Sequence, residues 1–406
     1  MSRSIPTGRC TSRSVPCQSA VLQRPPNIAR YRSPKAYRIE IRPGDERKYI
    51  VPEPENPSIL VVSDFPDLPK KIATHFEPLA ETGADLTIVC ITPNAEFDDA
   101  EYVTVPSWPS RYVGLLLLPF VALLEGMWRD YDAVVSFSLF PYGLYALVLG
   151  RALDLPAHLG IIGIDLDHHA TARYGAFPRF AFRRFDTLSV PGETHRSQLA
   201  GYGVDRDSIF VLANSIDPDV YHPDGSVETR YDFVWCGRLS PEKDPLLFVD
   251  ALAELAESVD DFDAVVLGSG ALYDEVDRRI VRHGLTEHVE LMGWVDEPVT
   301  YYRQSRAFVL TSRRDALSTS LIEAMATGLP CITPPVGNVS DVVEDGHNGF
   351  VFERGNVDAL ADALERIVDD RERAAEMGRN ATAVTERYSR ERASEDWRRI
   401  LDGLMA

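Results

Sequence analysis

From residue 57 onward, apolar residues follow two alternating patterns. Short apolar runs, such as residues 58–62 and 86–90, are typical of buried strands. The longer segments between them, such as 112–128 and 193–202, carry apolar residues at helical spacing. Strands that alternate with helices pair in parallel through right-handed crossovers. Residues 57–215 are therefore predicted to form a doubly wound α/β domain.

Residues 214–218 interrupt this alternation with Asn, Asp and Pro, and we place a linker there. Strands alternate with helices again from residue 231, which predicts a second doubly wound domain over 216–385. A last helix is predicted over 389–404, within a terminal segment 386–406. The predicted fold class is thus α/β with two Rossmann-like domains. Ligands of such sheets bind beyond the carboxyl ends of the strands, in the cleft that the two domains face.

Residues 1–56 differ from the rest, with eleven Lys or Arg, five Asp or Glu, and little hydrophobic periodicity. Much of this basic extension is expected to be disordered. It is either a tail that contacts an anionic membrane surface or nucleic acid, or the result of a start codon assigned too far upstream.

The whole chain is strongly acidic, with a net charge of −20 and only five lysines. This composition indicates either adaptation to high salt, a halophilic protein, or an ordinary acidic protein. In both cases it disfavours nucleic acid as a partner, since nucleic-acid binding needs a basic surface.

The five cysteines are scattered, which favours a reduced, cytoplasmic setting and gives no metal-ligand spacing. Neither a signal peptide nor a spanning helix is expected. The most apolar stretch, 112–124, contains a proline and is shorter than the ~20 residues that span a membrane. It is expected to be a packed helix; the alternative is peripheral contact with lipid at the inner membrane face, or with a lipid-linked acceptor.

The segment after the first strand of the second domain carries two cations. Gly237 lets the backbone approach a ligand, and Arg238 and Lys243 precede a helix that begins near Pro245. A helix N-terminus with two adjacent cations suits a diphosphate. The alternative is that both are solvated loop charges.

A second segment places carboxylates around a helix start. Asp315 lies in a loop, Ser318 is a good N-cap, and Gly328 ends the helix. Glu323 lies among apolar neighbours, where a carboxylate needs partners such as the hydroxyl groups of a ribose or sugar. The alternative is an exposed Glu on the polar edge of the helix.

Two further motifs are less specific. Gly268-Ser269-Gly270 lacks the third glycine of a dinucleotide loop, so a tight turn is the better interpretation and a dehydrogenase is disfavoured. In the first domain, Asp165 and His168 follow a predicted buried strand over 158–164, with His169 as a reserve candidate. The alternative there is an Asp cap and two exposed histidines.

The second domain resembles the retaining glycosyltransferases of family 4, also called glycosyl transferases group 1, which have the GT-B fold. The matching motifs are Gly237-Arg238-Leu239 with Lys243, Asp315 and Glu323 with seven residues between them, and the run 324–330. Together with Gly268, Gly270, Gly293 and the Asp-Gly-x-Asn-Gly motif at 345–349, they cover about residues 231–356 in the order of that family.

The resemblance implies a role for each matching residue. Arg238 and Lys243 would bind the donor diphosphate, Glu323 the ribose, and Asp315 the donor sugar. Backbone groups of Thr319 and Ser320 would meet the phosphates, and Gly237 and Leu321 would be further donor-binding residues. Val295 beside Trp294 would line the nucleobase pocket. Asp165 and His168 would face the donor sugar from the first domain, and the terminal helix would cross back onto that domain.

The implied activity is that of a retaining hexosyltransferase, with a nucleoside diphosphate sugar as donor, no metal cofactor, and a glycan, lipid-linked or small-molecule acceptor. Cell-surface glycan or glycoconjugate synthesis is the expected setting. The family usually has Glu where this chain has Asp315, which shortens the side chain by one methylene. A sugar-nucleotide epimerase and an inactive glycosyltransferase-like subunit remain as alternatives.

Overall fold

The protein is described by a computed structural model that covers residues 37–41, 48–52, 56–64, 72–94, 97–212 and 214–406. The chain divides into two compact units, Met1–Glu55 and Asn56–Ala406. In the first unit, strands β1 (Tyr37–Ile41) and β2 (Lys48–Pro52) pair antiparallel. The remainder of the extension that was predicted to be disordered lies outside the described residues.

The first domain of the larger unit is built on seven parallel strands in the order β5-β4-β3-β6-β7-β8-β9. The strands are β3 (Ser58–Val62), β4 (Asp85–Cys90), β5 (Ala100–Thr104), β6 (Ala133–Phe137), β7 (Ala157–Gly160), β8 (Thr187–Val190) and β9 (Ile209–Val211). The helices are α1 (Glu77–Ala80), α2 (Arg111–Trp128), α3 (Leu144–Leu153), α4 (Ala176–Phe182) and α5 (Glu193–Gly201).

The second domain has six parallel strands in the order β12-β11-β10-β13-β14-β15. The strands are β10 (Tyr231–Cys236), β11 (Ala264–Leu267), β12 (Val289–Gly293), β13 (Ser305–Val309), β14 (Cys331–Thr333) and β15 (Gly349–Val351). The helices are α6 (Pro245–Leu255), α7 (Tyr273–Arg282), α8 (Pro298–Arg303), α9 (Thr319–Ala326), α10 (Val357–Asp369), α11 (Arg371–Ala381) and α12 (Val384–Tyr388). Two parallel sheets flanked by helices confirm the predicted α/β fold class.

The chain passes between the two domains twice, at adjacent points. Ile216 lies where the chain first crosses to the second domain, and Tyr388 lies where it returns. The Ile216 backbone N–H donates to the Tyr388 carbonyl at 2.9 Å. The last helix, α13 (Arg390–Met405), then packs on the first domain. Its Trp397 side chain is fully buried in the same core as Phe76 and Phe137. The terminal helix therefore completes the core of the first domain of the larger unit.

Helix α2 differs from its prediction. It was expected to be packed, but only Gly114, Leu118 and Ala122 are buried, which is 17% of its 18 residues. By length and composition it is the one described helix that could cross a membrane. The three buried residues are small or lie one turn apart, so a single narrow side of the helix contacts the sheet. The other sides are left at the surface.

Candidate functional site

A cavity of about 740 Å³ opens between the two domains of the larger unit. The carboxyl ends of β10 and β11 border it from the second domain, through Gly237 and Gly268. Residues 161–164, just beyond β7, border it from the first domain. The cavity thus lies beyond the carboxyl ends of both sheets, where α/β folds bind their ligands.

Gly268 shows how closely the loops around this cavity approach each other. Its φ is +135°, and an added Cβ would lie 1.9 Å from the Gly237 carbonyl oxygen. Only glycine fits such a position, because a side chain would be strained and would also clash. The Gly268-Ser269-Gly270 segment is therefore a tight βα turn whose backbone packs directly against the backbone of Gly237 at the cavity.

Both predicted cations border the cavity. Arg238 is exposed, and in the described part of the chain its guanidinium has no ion-pair partner. The loop that carries Lys243 is held by its backbone, since the Thr311 hydroxyl donates to the Lys243 carbonyl at 2.9 Å. Thr311 in turn accepts from the Trp235 indole N–H at 2.9 Å. The backbone of this loop is therefore fixed at the point where the Lys243 side chain borders the cavity.

The Lys243 ammonium group contacts the Asp315 carboxylate directly. The pair is partly shielded, with 26% of the Lys243 side chain and 13% of the Asp315 side chain exposed. Asp315 also accepts a long hydrogen bond from the Ser312 hydroxyl at 3.4 Å. Two side chains predicted to bind different parts of one donor thus form an ion pair in the free protein, and an incoming diphosphate would compete with Asp315 for the lysine.

The start of helix α9 points toward the same cavity. Ser318 has an extended backbone at the N-cap, but its side chain forms no cap hydrogen bond. Its hydroxyl instead contacts that of Ser320, 2.9 Å away, which donates to the Cys236 carbonyl. The first backbone N–H groups of the helix, at Thr319, Ser320 and Leu321, are therefore not capped by the Ser318 side chain. Such a terminus attracts anions.

Glu323 lies one turn further along α9 and is only 3% exposed, so it is not on a polar edge. One carboxylate oxygen accepts a hydrogen bond from the Tyr302 hydroxyl at 3.2 Å. Burial, together with the charge of Glu323, raises the pKa of Tyr221, which faces the same carboxylate. Glu323 borders the cavity beside Trp294 and Val295. This places a hydrogen-bonding carboxylate at the wall of the cavity, next to apolar and aromatic surface.

Asp165, in contrast, is not brought to the cavity. It is fully buried, and one carboxylate oxygen accepts from the Leu139 N–H at 3.0 Å and from the Ser138 hydroxyl at 3.1 Å. Burial raises the pKa of this carboxyl, against the effect of those hydrogen bonds. Asp165 therefore stabilises the turn after β6 instead of facing the donor side. Asp167, two residues further along the chain, borders the cavity in its place.

His168 does border the cavity, and its Nδ1 lies 3.2 Å from the Arg314 guanidinium of the second domain. Its neighbour His169 is turned away from the cavity, toward Tyr174, whose hydroxyl is 2.7 Å from the His169 Nδ1. Of the two histidines, only His168 can therefore reach a ligand in the cavity. Arg314 was not among the predicted residues, although it directly precedes Asp315.

A buried contact between the domains was also missed. His195 is 1% exposed; its Nε2 lies 3.2 Å from Asp167, and its Nδ1 lies 3.1 Å from the Asn338 amide. The Asn338 amide also donates to the Ala316 carbonyl at 2.9 Å. This network joins the loop of Asp167 in the first domain to the loop that follows Asp315 in the second.

Gly163 makes the approach of these two loops possible. It adopts φ +62°, and a Cβ there would lie 2.5 Å from the Ala316 side chain. Glycine is therefore required both for the backbone conformation and for the contact between the domains. Within the described residues, no group of three or more His, Cys, Asp or Glu side chains could hold a metal ion.

Two Rossmann-like domains that face each other across a cleft define the GT-B architecture. Residues 222–384 match the family model for glycosyl transferases group 1, and residues 73–215 match that for a glycosyl transferase 4-like domain. The chain belongs to the group 1 glycosyltransferases.

Two relatives show the range of similarity. An uncharacterized glycosyltransferase of Methanocaldococcus jannaschii is 25% identical over 279 residues, which is 67% of this chain and 76% of that protein. A galactosyltransferase of Escherichia coli, named for UDP-Gal and α-D-GlcNAc-diphosphoundecaprenol, is 28% identical over 182 residues. That match covers 41% of this chain and 47% of the enzyme.

Solved structures confirm the fold over almost the whole described chain. Anabaena HepE in complex with UDP-glucose superposes with a TM-score of 0.71 at 18% identity, covering 86% of this chain and 100% of that protein. Sucrose-phosphate synthase of Thermosynechococcus elongatus gives a TM-score of 0.68 at 16% identity and covers 84% of this chain.

Proposed function

We propose that this glycosyltransferase moves a sugar from a nucleoside diphosphate onto an acceptor hydroxyl, with retention at the anomeric carbon. The observation that carries the proposal is the convergence of Arg238, Lys243, the start of α9 and buried Glu323 on one cavity. Cations and an uncapped helix terminus suit a diphosphate, and a buried carboxylate suits a ribose diol. Structural neighbours captured with UDP or UDP-glucose support the same class of donor.

In this proposal Arg238 and Lys243 stabilise the diphosphate as it leaves. Arginine offers a planar pair of donors and lysine a mobile point charge, so together they offset the growing negative charge. The two cations would supply the charge that a divalent metal supplies in other transferases, and we expect transfer to continue in the presence of EDTA. Asp315 and His168 would orient the sugar from opposite domains, with Asp167 beside His168.

The expected setting is the assembly of a cell-surface glycan or glycoconjugate. The Escherichia coli relative is named for a polyprenyl diphosphate acceptor, and a Rhizobium meliloti relative is a mannosyltransferase of lipopolysaccharide core biosynthesis. The anomeric configuration of the product, read by proton NMR from its coupling constant, tests retention. Release or epimerisation of the sugar without any acceptor would favour the epimerase alternative instead.

Thermal unfolding with UDP, GDP, ADP and CDP tests the donor site. A nucleotide at ~100 times its dissociation constant adds about 2.7 kcal/mol to the free energy of unfolding. We expect one nucleotide to stabilise the wild type and to lose this effect in Lys243→Ala. Arg282→Ala is the matched control, because it removes an exposed cation from α7, outside the cavity.

The outcomes separate the donor site from a general charge effect. Equal loss of stabilisation in Lys243→Ala and Arg282→Ala would mean that the nucleotide responds only to the net charge of the domain. No stabilisation of the wild type by any of the four nucleotides would contradict the donor-site assignment and favour the inactive binding subunit.

A further inference from the structure

Three helices of the first domain leave an apolar surface that no described part of the chain covers. Helices α2, α3 and α4 pack on the same face of the sheet, where their buried residues meet alternate side chains of β3, β6 and β7. Tyr112 is 79% exposed and Trp128 is 86% exposed, although both lie on an apolar helix. The exposed apolar residues on α2 are Tyr112, Leu116, Leu117, Phe120, Leu124, Met127 and Trp128.

The neighbouring helices extend this surface. Val148 of α3 is 65% exposed, and Phe177 and Phe180 of α4 are about half exposed. The Arg151 guanidinium of α3 donates to the Arg184 carbonyl, two residues after the end of α4, at 2.8 Å. We call the exposed apolar residues of α2, with Val148, Phe177 and Phe180, the α2–α4 face. Monomeric proteins rarely expose so continuous an apolar surface without a partner.

Positive charge accompanies this face, in a chain whose acidic residues outnumber its basic ones by 62 to 42. Residues 168–185 contain four arginines and no acidic residue. Among the described residues, no carboxylate forms an ion pair with any of them or with the nearby Arg151. One guanidinium, that of Arg184, lies 4.6 Å from the ring centre of exposed Phe180. The four arginines are Arg173, Arg179, Arg183 and Arg184. Of these, Arg179 is held over the Tyr202 ring, 5.0 Å from its centre, and is not counted as charge of the face.

The same face reaches the rim of the donor cavity. His168 borders the cavity, and the ring of the next residue, His169, lies 4.9 Å from Phe140. Phe140 in turn lies 6.1 Å from Phe177 of the α2–α4 face. A continuous path of aromatic side chains therefore connects the exposed apolar surface to the site where an acceptor would enter.

We propose that the α2–α4 face docks onto an anionic lipid bilayer and there meets an acceptor whose lipid stays in the membrane. This inference deepens the proposed function, on which its acceptor class rests. The apolar residues would enter the headgroup region, and the arginines would pair with lipid phosphates. Helix α2 lies in the membrane plane and does not span it, because Leu118 and Ala122 remain packed in the core of the domain.

Charge favours a bilayer over a second copy of the chain. In a two-fold dimer through this face, identical surfaces would meet, and the unpaired arginines of both copies would approach each other. An anionic membrane offers the opposite charge over its whole plane. The 18-residue helix α2, about 27 Å long, gives a contact that is extended enough for interfacial binding.

Co-sedimentation of the full chain with vesicles tests the proposal. We expect binding to mixed phosphatidylglycerol and phosphatidylcholine vesicles, and weaker binding to pure phosphatidylcholine. Leu116→Asp with Phe120→Asp should lower the partition coefficient at least about tenfold, because two apolar anchors are lost. Arg183→Gln with Arg184→Gln should lower it about fivefold per charge at low salt. Val281→Asp, at an exposed apolar position of α7 that is 62% accessible, is the matched control.

All variants keep residues 1–56, so any contribution from the basic extension is common to them. Wild-type binding that Leu116→Asp with Phe120→Asp leaves unchanged would overturn the docking surface. Equal binding to neutral vesicles would overturn the role of the arginines. A dimer in light scattering that the same double variant dissociates would replace the membrane by a second copy.

A separate measurement keeps this proposal distinct from the proposed function. Nucleotide-induced thermal stabilisation reports the donor site and should be equal in the wild type and in all three variants. Vesicle binding without any nucleotide response would leave docking in place and contradict the transferase proposal. A nucleotide response without vesicle binding would leave the transferase proposal in place and overturn the docking surface.

Discussion

Replacing Asp315 by Asn separates two roles of the Lys243–Asp315 ion pair. Asn keeps the size of the side chain but removes the charge that contacts the Lys243 ammonium group. The lysine then lacks its carboxylate partner, and an incoming diphosphate no longer competes with a neighbouring anion. We therefore expect the free nucleoside diphosphate to bind more tightly to Asp315→Asn than to the wild type.

The size of this gain follows from the electrostatics of the cleft. At a separation of about 7 Å and an effective dielectric constant of about 40–80, two unit charges repel by roughly 0.6–1.2 kcal/mol. The dissociation constant of the nucleotide should accordingly fall by about three- to eightfold. The efficiency with which the enzyme uses the sugar donor should change in the opposite direction. Loss of a charged hydrogen-bond acceptor for a sugar hydroxyl should lower kcat/KM about tenfold.

Isothermal titration of the nucleotide, together with steady-state kinetics of transfer, measures both effects. Asp277→Asn, an exposed residue of α7 outside the cavity, controls for a change of net charge. The reasoning fails if Asp315→Asn binds the nucleotide more weakly than the wild type does, because Asp315 would then support the diphosphate site and not compete with it. An equal gain in Asp277→Asn would attribute the effect to net charge alone.

Two further predictions concern the core and the contact between the domains. Burial lowers the pKa of His158 from its ordinary value of 6.5 to about 3. Below pH 6.5 the unfolded chain therefore binds one more proton than the folded protein, and the free energy of unfolding decreases as the pH is lowered. His158→Gln should remove about 1.4 kcal/mol per pH unit from that slope in urea unfolding at pH 4–6, and an unchanged slope would contradict this. Asn338→Ala should raise the donor KM and the radius of gyration of the free protein in small-angle scattering. Thr194→Ala, which removes one long contact of 3.5 Å, is its control, and equal effects of the two variants would contradict a specific role for Asn338.

The strands of the second domain could be predicted closely from sequence. Strand β11 is a continuous apolar run, β10 is apolar except for Asp232, and β14 except for Thr333. All three are buried on both faces, and such segments have few alternatives. Strand β5 was not predicted, because its residues are half exposed at a sheet edge and show no apolar run. The strand predicted over 158–164 ends at Gly160, since its apolar continuation lies in the loop at the contact between the domains.

Some residues of the candidate site could be selected from the sequence, and others are recognised only in the structure. Arg238, Lys243 and Glu323 were selected from short segments by the order of their motifs along the chain, and the structure places all three at one cavity. The contact of His195 with Asn338 joins residues 143 positions apart, and neither has a distinctive local sequence. Asp165 and Asp167 are two residues apart, and only the turn over 165–169 determines which of them reaches the cavity.

The position of Trp397 has a consequence for synthesis of the chain. The last strand of the first domain ends at Val211, yet the core under Phe76 and Phe137 is closed by a residue that is translated 186 positions later. At about 5–20 residues per second, that interval is roughly ten to forty seconds. The first domain therefore emerges with an open hydrophobic groove and waits for the second domain to be made. Its folding can be completed only once helix α13 has been translated, and the two halves must mature as one unit.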